Sequence, residues 1–311
     1  MQASNWNRQA SPGAGGALRT ELPSPDDVLA QSAHIARRLA LEHCRHTAAA
    51  DCTWYHGTWQ YLRALGVSKT AGGHATFLTE TLRSLVAGGD VRRVLISGSA
   101  DDAMTLIALE AFRDARVRPE LTLIDICETP LALSRWSAER VGGTVATQRT
   151  DILDYSADVP FDVVMSNSFL SYFEAAARPR LFARWASLLR SGGKLLLTNR
   201  LRPGAPAAPL GFTADQAQVF CAAVRREAER RQEVLGLDPA TLEDWAREYT
   251  ERFKSFPLHS SDEVLELLRS AGFVPDRLDT ALFPGLPGSE AVAGPSSSDR
   301  ADYVRALATR R

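Results

Sequence analysis

Arg93-Val94-Leu95-Ile96-Ser97-Gly98-Ser99-Ala100-Asp101-Asp102 is a short apolar run that stops at a glycine and passes into small and acidic residues. An uninterrupted run of this length predicts a strand covered on both faces rather than one with a wet side. Downstream, Met104, Ile107, Ala108, Ala111 and Phe112 recur at helical spacing over 103–113. A second strand is expected at Leu121-Thr122-Leu123-Ile124-Asp125-Ile126, a helix over 131–140, and a weaker strand over 144–149. Phe161-Asp162-Val163-Val164-Met165-Ser166 reads as a fourth strand. A helix over 177–189 ends at Ser191-Gly192-Gly193, and a fifth strand follows over 194–198. Strands alternating with helices of this length mean βαβ units, and right-handed crossovers then give an α/β, doubly wound, Rossmann-like sheet. Ser260 to Glu263 forms a capping pattern ahead of Val264, Leu265, Leu267 and Leu268. Strands starting at Phe273 and covering 303–307 complete seven, mostly parallel.

Around this sheet the chain divides into three parts. Residues 1–24, broken by Ser11-Pro12-Gly13 and Pro23-Ser24-Pro25, read as a disordered tail. Residues 25–90 read as a helical N-terminal lid region, with helical stretches over 28–41, 54–65 and 76–86. Residues 91–311 are the sheet domain, interrupted over 203–258 by a charged helical insertion after the fifth strand. The 311 residues carry 36 Lys and Arg against 37 Asp and Glu, a net charge of −1 that argues against bulk nucleic-acid binding. The expectation is a cytoplasmic protein with no nucleic-acid or membrane partner: no apolar run is long enough to span a bilayer, and no signal-peptide pattern opens the chain. No oligomeric state follows from the sequence.

In open α/β sheets ligands sit beyond the carboxyl ends of the strands. Four such ends carry chemistry here: Gly98-Ser99-Ala100-Asp101, Asp125-Ile126, Asp151-Ile152 and Asn167-Ser168-Phe169. Asp125 lies 27 residues after Gly98, where a carboxylate can accept from a ribose diol.

Taken in order, these segments resemble the class I S-adenosylmethionine-dependent methyltransferases over about residues 92–202, and more loosely over 258–310. Val94 to Ala100 is similar to the family's glycine-rich first motif and Leu123-Ile124-Asp125-Ile126 to its second. Thr150-Asp151-Ile152 is similar to the segment meeting the adenine amino group, and Phe161 to Leu170 to the fourth motif. Leu188 to Leu197 resembles the leucine- and glycine-rich turn into the fifth strand. The resemblance implies S-adenosyl-L-methionine as cofactor, held by Gly98, Ser99, Ala100, Asp101, Asp125, Ile126, Asp151, Ile152 and Asn167. Two positions depart from the pattern. Ile96 stands where the family has a first-strand acid, and Ala100 replaces the second glycine. Asp101 or Asp102 either replaces the missing acid or caps the next helix.

Trp54, Tyr55, Trp59 and Tyr61, with His56, form an aromatic concentration on one expected helix. It either packs against the sheet or covers the cofactor site, where aromatic faces attract a sulfonium cation. Tyr55, Trp59 and Phe169 are the candidate substrate-binding residues; His56, for its near-neutral pKa, and Tyr172 are the candidate catalytic ones. His43, Cys44, His46, Cys52 and His56 cluster in sequence, but their spacings match no paired zinc signature and no metal site is expected.

The expected activity is methyl transfer to a small-molecule substrate, in secondary or amino-acid metabolism. Two alternatives stand beside it. One is attack on the aminocarboxypropyl carbon, releasing methylthioadenosine, for example with closure to azetidine-2-carboxylate. The other is a non-catalytic domain that senses the cofactor or binds a partner.

Overall fold

The computed structural model describes residues 25–44, 51–68, 71–89, 91–283, 294–296 and 301–311. The expected tail over 1–24 and most of the loop over 284–300 lie outside these residues. Seven strands form one sheet: β1 (Arg93–Ser97), β2 (Glu120–Asp125), β3 (Ala146–Arg149), β4 (Phe161–Asn167), β5 (Leu189–Arg200), β6 (Phe273–Phe283) and β7 (Ala301–Arg310). Their order is β3-β2-β1-β4-β5-β7-β6, with β7 antiparallel to β5 and to β6 and the remaining pairs parallel. The order reverses between β2-β1 and β4, so the switch point lies at the ends of β1 and β4.

Ten α-helices surround the sheet: α1 (Pro25–His43), α2 (Thr53–Ala64), α3 (Ala75–Ala87), α4 (Ala103–Asp114), α5 (Glu128–Arg140), α6 (Arg178–Leu188), α7 (Ala214–Arg230), α8 (Gln232–Leu235), α9 (Pro239–Arg252) and α10 (Ser261–Ser270) among the described residues. Alternation along β1 explains the two covered faces. Val94 and Ile96 point into a core shared with Leu78, Leu82, Met104, Phe112 and Leu131 of α3, α4 and α5. Leu95 points the other way, toward Phe182, Trp185 and Leu268 of α6 and α10. All three strand residues are fully buried, which is why the run shows no polar alternation.

A third core lies off the sheet. Tyr55, Trp59 and Leu62 of α2 pack with Phe220 and Val224 of α7 and Leu242, Ala246 and Tyr249 of α9. Thus α2 and the insertion form one helical cap. Arg252 donates to the Asp51 carbonyl at 2.9 Å, and Arg231 to that of Ala64 at 2.7 Å. The third expected lid helix behaves differently. The apolar stripe Phe77, Leu78, Leu82 and Val86 places α3 in the sheet core against α4.

Three details differ from the sequence reading. The strand expected at 194 begins at Leu189, because the Gly192-Gly193 pair sits in an irregularity of the β4–β5 ladder rather than in a separating turn. The helix expected over 213–235 breaks after Arg230, and α8 ends at Gly236 in a left-handed conformation. Ser260 caps α10 as expected, but Glu263 accepts from the His259 backbone and from Arg178 instead of closing a full box.

Candidate active site

The turn after β1 is built for close approach. Gly98 has φ +73°, and a Cβ there would meet the Phe169 ring at 2.4 Å, so only glycine fits. Its N–H donates to the Ile124 carbonyl at 3.0 Å, fastening the turn to the end of β2. The next backbone N–H, of Ser99, donates to Asp125 Oδ2 at 3.1 Å, and that of Cys127 to Oδ1 at 2.8 Å. Two backbone donors therefore fix the carboxylate and leave acceptor capacity on both oxygens. Burial raises the Asp125 carboxyl, against the opposing pull of His56 and the two N–H groups. Beside it, Ile126 is 69% exposed, the most open of the large apolar side chains described. An apolar face next to a pre-oriented carboxylate suits a nucleoside: ring against Ile126, diol against Asp125.

The other expected contacts divide. Asp151 is exposed, and its Oδ1 accepts from the Leu153 N–H at 2.9 Å. Ile152 is buried in the core with Leu95 and Ile124, supporting the floor of this corner rather than lining it. At the end of β4, Thr198 Oγ1 donates to Asn167 Oδ1 at 2.6 Å. Ser168 then takes a left-handed conformation, φ 53°, uncommon away from glycine and characteristic of functional turns. That turn throws Phe169 onto Gly98 and Tyr172 toward the lid.

The two acids after the glycine turn serve the lid. Asp101 Oδ1 accepts from the Ala103 N–H at 2.9 Å, and Oδ2 from Trp59 Nε1 at 3.0 Å. Asp102 makes no capping bond with its side chain. It accepts instead from Arg63 at 2.7 Å, Gln60 at 3.1 Å and Ser137 at 2.5 Å. Helix capping therefore falls to Asp101. Both carboxylates are nearly fully buried, with Trp59, Gln60 and Arg63 of α2 donating to them.

The aromatic residues of α2 form a stacked cluster with α9. Tyr55 stacks with Trp59 at 5.6 Å and with Tyr249 at 6.1 Å, and its hydroxyl is 2.5 Å from that of Tyr172. Burial, then the neighbouring Tyr172 and Tyr249, raise the Tyr55 phenol well above its ordinary value, so it remains neutral. Ala100 packs beneath these rings. A cavity of about 60 Å³ lies beside the pair, between Trp59, Ser168, Ser171, Tyr172, Arg200 and Phe253. A groove of about 610 Å³ lies elsewhere, on the flank between α3 and the β6–β7 hairpin.

His56 is buried on the far side of Tyr55, against the thiols of Cys127 and Cys52. Burial disfavours its charge, but those thiols outweigh the penalty and push its pKa up to about 10. The reciprocal contacts with Cys44 and Cys52, and then His56, lower the Cys127 thiol. Sequence reasoning did not include Tyr249, Phe253, Arg200 or Cys127. The first two recur at helical spacing with Trp245 along 245–253, a signal present in the chain. Arg200 and Cys127 carry no local signal and arrive through sheet topology.

Residues 105–193 match the sequence model of a family described as a methyltransferase domain. Among solved structures, the 1,6-didemethyltoxoflavin-N1-methyltransferase of Burkholderia thailandensis, bound to 1,6-didemethyltoxoflavin and S-adenosylhomocysteine, superposes with a TM-score of 0.50 at 17% identity, over 94% of this chain and 93% of that one. Magnesium protoporphyrin IX methyltransferase from Synechocystis PCC 6803, with bound S-adenosylmethionine, gives 0.46 at 12% identity over 94% and 100%. The N-methyltransferase NodS from Bradyrhizobium japonicum WM9 gives 0.45 at 15% identity over 76% and 87%. At 17% identity the likeness to the first of these is one of fold alone. No curated protein sequence matches the chain. No helix among the described residues is long and apolar enough to cross a membrane.

Proposed function

We propose, from the premise that this chain carries a class I S-adenosylmethionine-dependent methyltransferase domain, that it methylates a small molecule enclosed beneath the aromatic lid, in secondary or amino-acid metabolism. The observation that carries this reading is Asp125, held by the Ser99 and Cys127 N–H groups with acceptor capacity to spare beside exposed Ile126. In this reading Asp125 takes the ribose hydroxyls, Ile126 one face of the adenine, and Asp151 its amino edge. The backbone of Gly98, Ser99 and Ala100 faces the methionine end, with Asn167 closing the opposite wall. When bound, the cofactor supplies an electrophilic methyl carbon on a sulfonium.

The protein's work is then alignment and exclusion of water. Tyr55, Trp59 and Phe169 form the apolar and π-rich surround that suits a cation. Tyr172 orients the acceptor through its hydroxyl. His56, expected as a base, is assigned instead to the thiols. Asp101 acts indirectly, by holding the Trp59 indole. Enclosure by α2, α7 and α9 supports a small acceptor over a nucleic acid or a protein surface.

A second reading has its own support. The first-strand acid is absent at Ile96, and Asp101 and Asp102 are consumed by the lid. An altered methionine end suits attack within the cofactor itself, at the aminocarboxypropyl carbon. One incubation separates the readings: purified protein with S-adenosylmethionine, with and without candidate acceptors, followed by identification of the nucleoside released. Adenosylhomocysteine supports methyl transfer, methylthioadenosine the second reading, and no turnover a non-catalytic binder.

A further inference from the structure

We infer that Cys44, Cys52 and Cys127 form a three-thiol binding site for a soft divalent cation of the zinc class, tying the lid to the turn that carries Asp125. The three sulfur atoms come from separate places in the chain and lie within 4.8 Å of one another. Cys44 follows α1, Cys52 precedes α2, and Cys127 precedes α5. Cys44 and Cys127 Sγ are 3.5 Å apart, and Cys52 and Cys127 Sγ 3.7 Å. Tetrahedral coordination with metal–sulfur bonds of about 2.3 Å puts neighbouring sulfurs about 3.8 Å apart. The thiols therefore stand near that spacing already.

His56 stands one helical turn beyond Cys52 and on the same face of α2, outside the group of three mutually close sulfur atoms. Its Nδ1 is buried with no hydrogen-bond partner. Three thiolates make a soft donor set that suits a zinc-class cation, with the fourth position left to solvent or to a movement of His56, and it selects against magnesium and calcium. The surroundings favour thiolate. Cys52 and Cys127 occupy the N-terminal ends of α2 and α5, where the helix dipole stabilises negative charge. Thr129 Oγ1 is 3.0 Å from Cys44 Sγ, within reach to donate to it. On binding, the thiols lose their protons to solvent and the cation takes the three sulfur lone pairs, with no change of oxidation state. Because the Cys127 N–H holds Asp125 Oδ1, the metal fixes the same turn that presents the nucleoside carboxylate.

The test uses the full chain, untagged and fully reduced, loaded with zinc chloride or separately with cobalt(II), with bound metal counted by mass spectrometry of the elements. One equivalent per chain is expected. The cobalt form is expected to show tetrahedral ligand-field bands and thiolate-to-metal charge transfer. Cys127→Ser and Cys52→Ser, checked for folding by circular dichroism, are each expected to weaken zinc binding at least about tenfold. Cys221→Ser, in the core between α7 and α9, is expected to leave it unchanged. The wild-type cobalt spectrum keeps the test decisive where a variant does not fold. No bound metal, an octahedral cobalt spectrum, binding unaffected by Cys127→Ser, or a Cys44–Cys127 disulfide in the intact mass of freshly isolated protein overturns the inference.

Discussion

Replacing Asp102 by asparagine cuts the main polar tie between the lid and the sheet. The carboxylate is 3% exposed and accepts three bonds, from Arg63 at 2.7 Å, Gln60 at 3.1 Å and Ser137 at 2.5 Å. Removing one partner of a buried ion pair costs about 3–5 kcal/mol, because the other charge stays buried without compensation. Two features lower that figure here. Asp101 Oδ2 lies 3.7 Å from Arg63 and keeps part of the compensation, and an asparagine oxygen still accepts from one donor. About 3 kcal/mol is therefore expected. At about 2–4 °C per kcal/mol for a chain of this size class, the midpoint should fall by roughly 6–12 °C. The assay is thermal and urea unfolding followed by circular dichroism, on Asp102→Asn, Arg63→Met and the double variant. The double should be less destabilised than the sum of the singles by about 2 kcal/mol, the signature of a direct pair. A loss below about 1 kcal/mol, or simple additivity, would refute the view that this pair anchors the lid.

Three further outcomes are expected. Gly98→Ala should abolish cofactor binding in calorimetry, since φ +73° and a 2.4 Å contact with Phe169 force the turn to move; retained affinity would show that the turn is not the binding element. Tyr55→Phe keeps the stacked ring but loses the 2.5 Å bond to Tyr172, so stability should fall by only about 1 kcal/mol while turnover falls much further; an unchanged rate removes the pair from the site. Asp162 accepts from the Arg92 and Arg93 N–H groups at 2.8 Å and from Arg190 at 2.7 Å. Burial opposes its charge, but those donors hold its carboxyl below the ordinary value. A depressed carboxyl stabilises the fold above its unfolded pKa of about 3.9, and that contribution is lost as pH falls through the folded value. The deficit of Asp162→Asn, measured by urea unfolding, should thus be constant near neutrality and shrink below about pH 4; a deficit that grew on acidification would contradict the assignment.

The sheet was legible because its strands are buried on both faces and its helices on one. Val94, Leu95 and Ile96 form an apolar run, while Met104, Ile107 and Phe112 recur at helical spacing, and these two periods separate the elements without tertiary information. The boundary at Gly192-Gly193 was less legible, since a glycine pair serves a turn and a strand irregularity equally well. Local composition could single out Tyr55, Trp59 and Asp125 as candidates. It could not reveal that Asp101 and Asp102 would face α2, because that depends on how the cap docks. Cysteine spacing along the chain suggested no metal, since the third thiol, Cys127, sits 75 residues beyond Cys52 and joins it only through the β2–α5 turn. The partners of Tyr55 in the insertion, Tyr249 and Phe253, are likewise a product of topology.

Titration of S-adenosylhomocysteine into the wild-type chain and into Asp125→Ala, followed by calorimetry, tests the nucleoside site most directly. The wild type should bind one equivalent. The variant should lose about 2–4 kcal/mol of affinity, as two charge-assisted hydrogen bonds to the sugar would account for, without unfolding. Equal affinity in the two proteins, or no binding to either, would contradict the account.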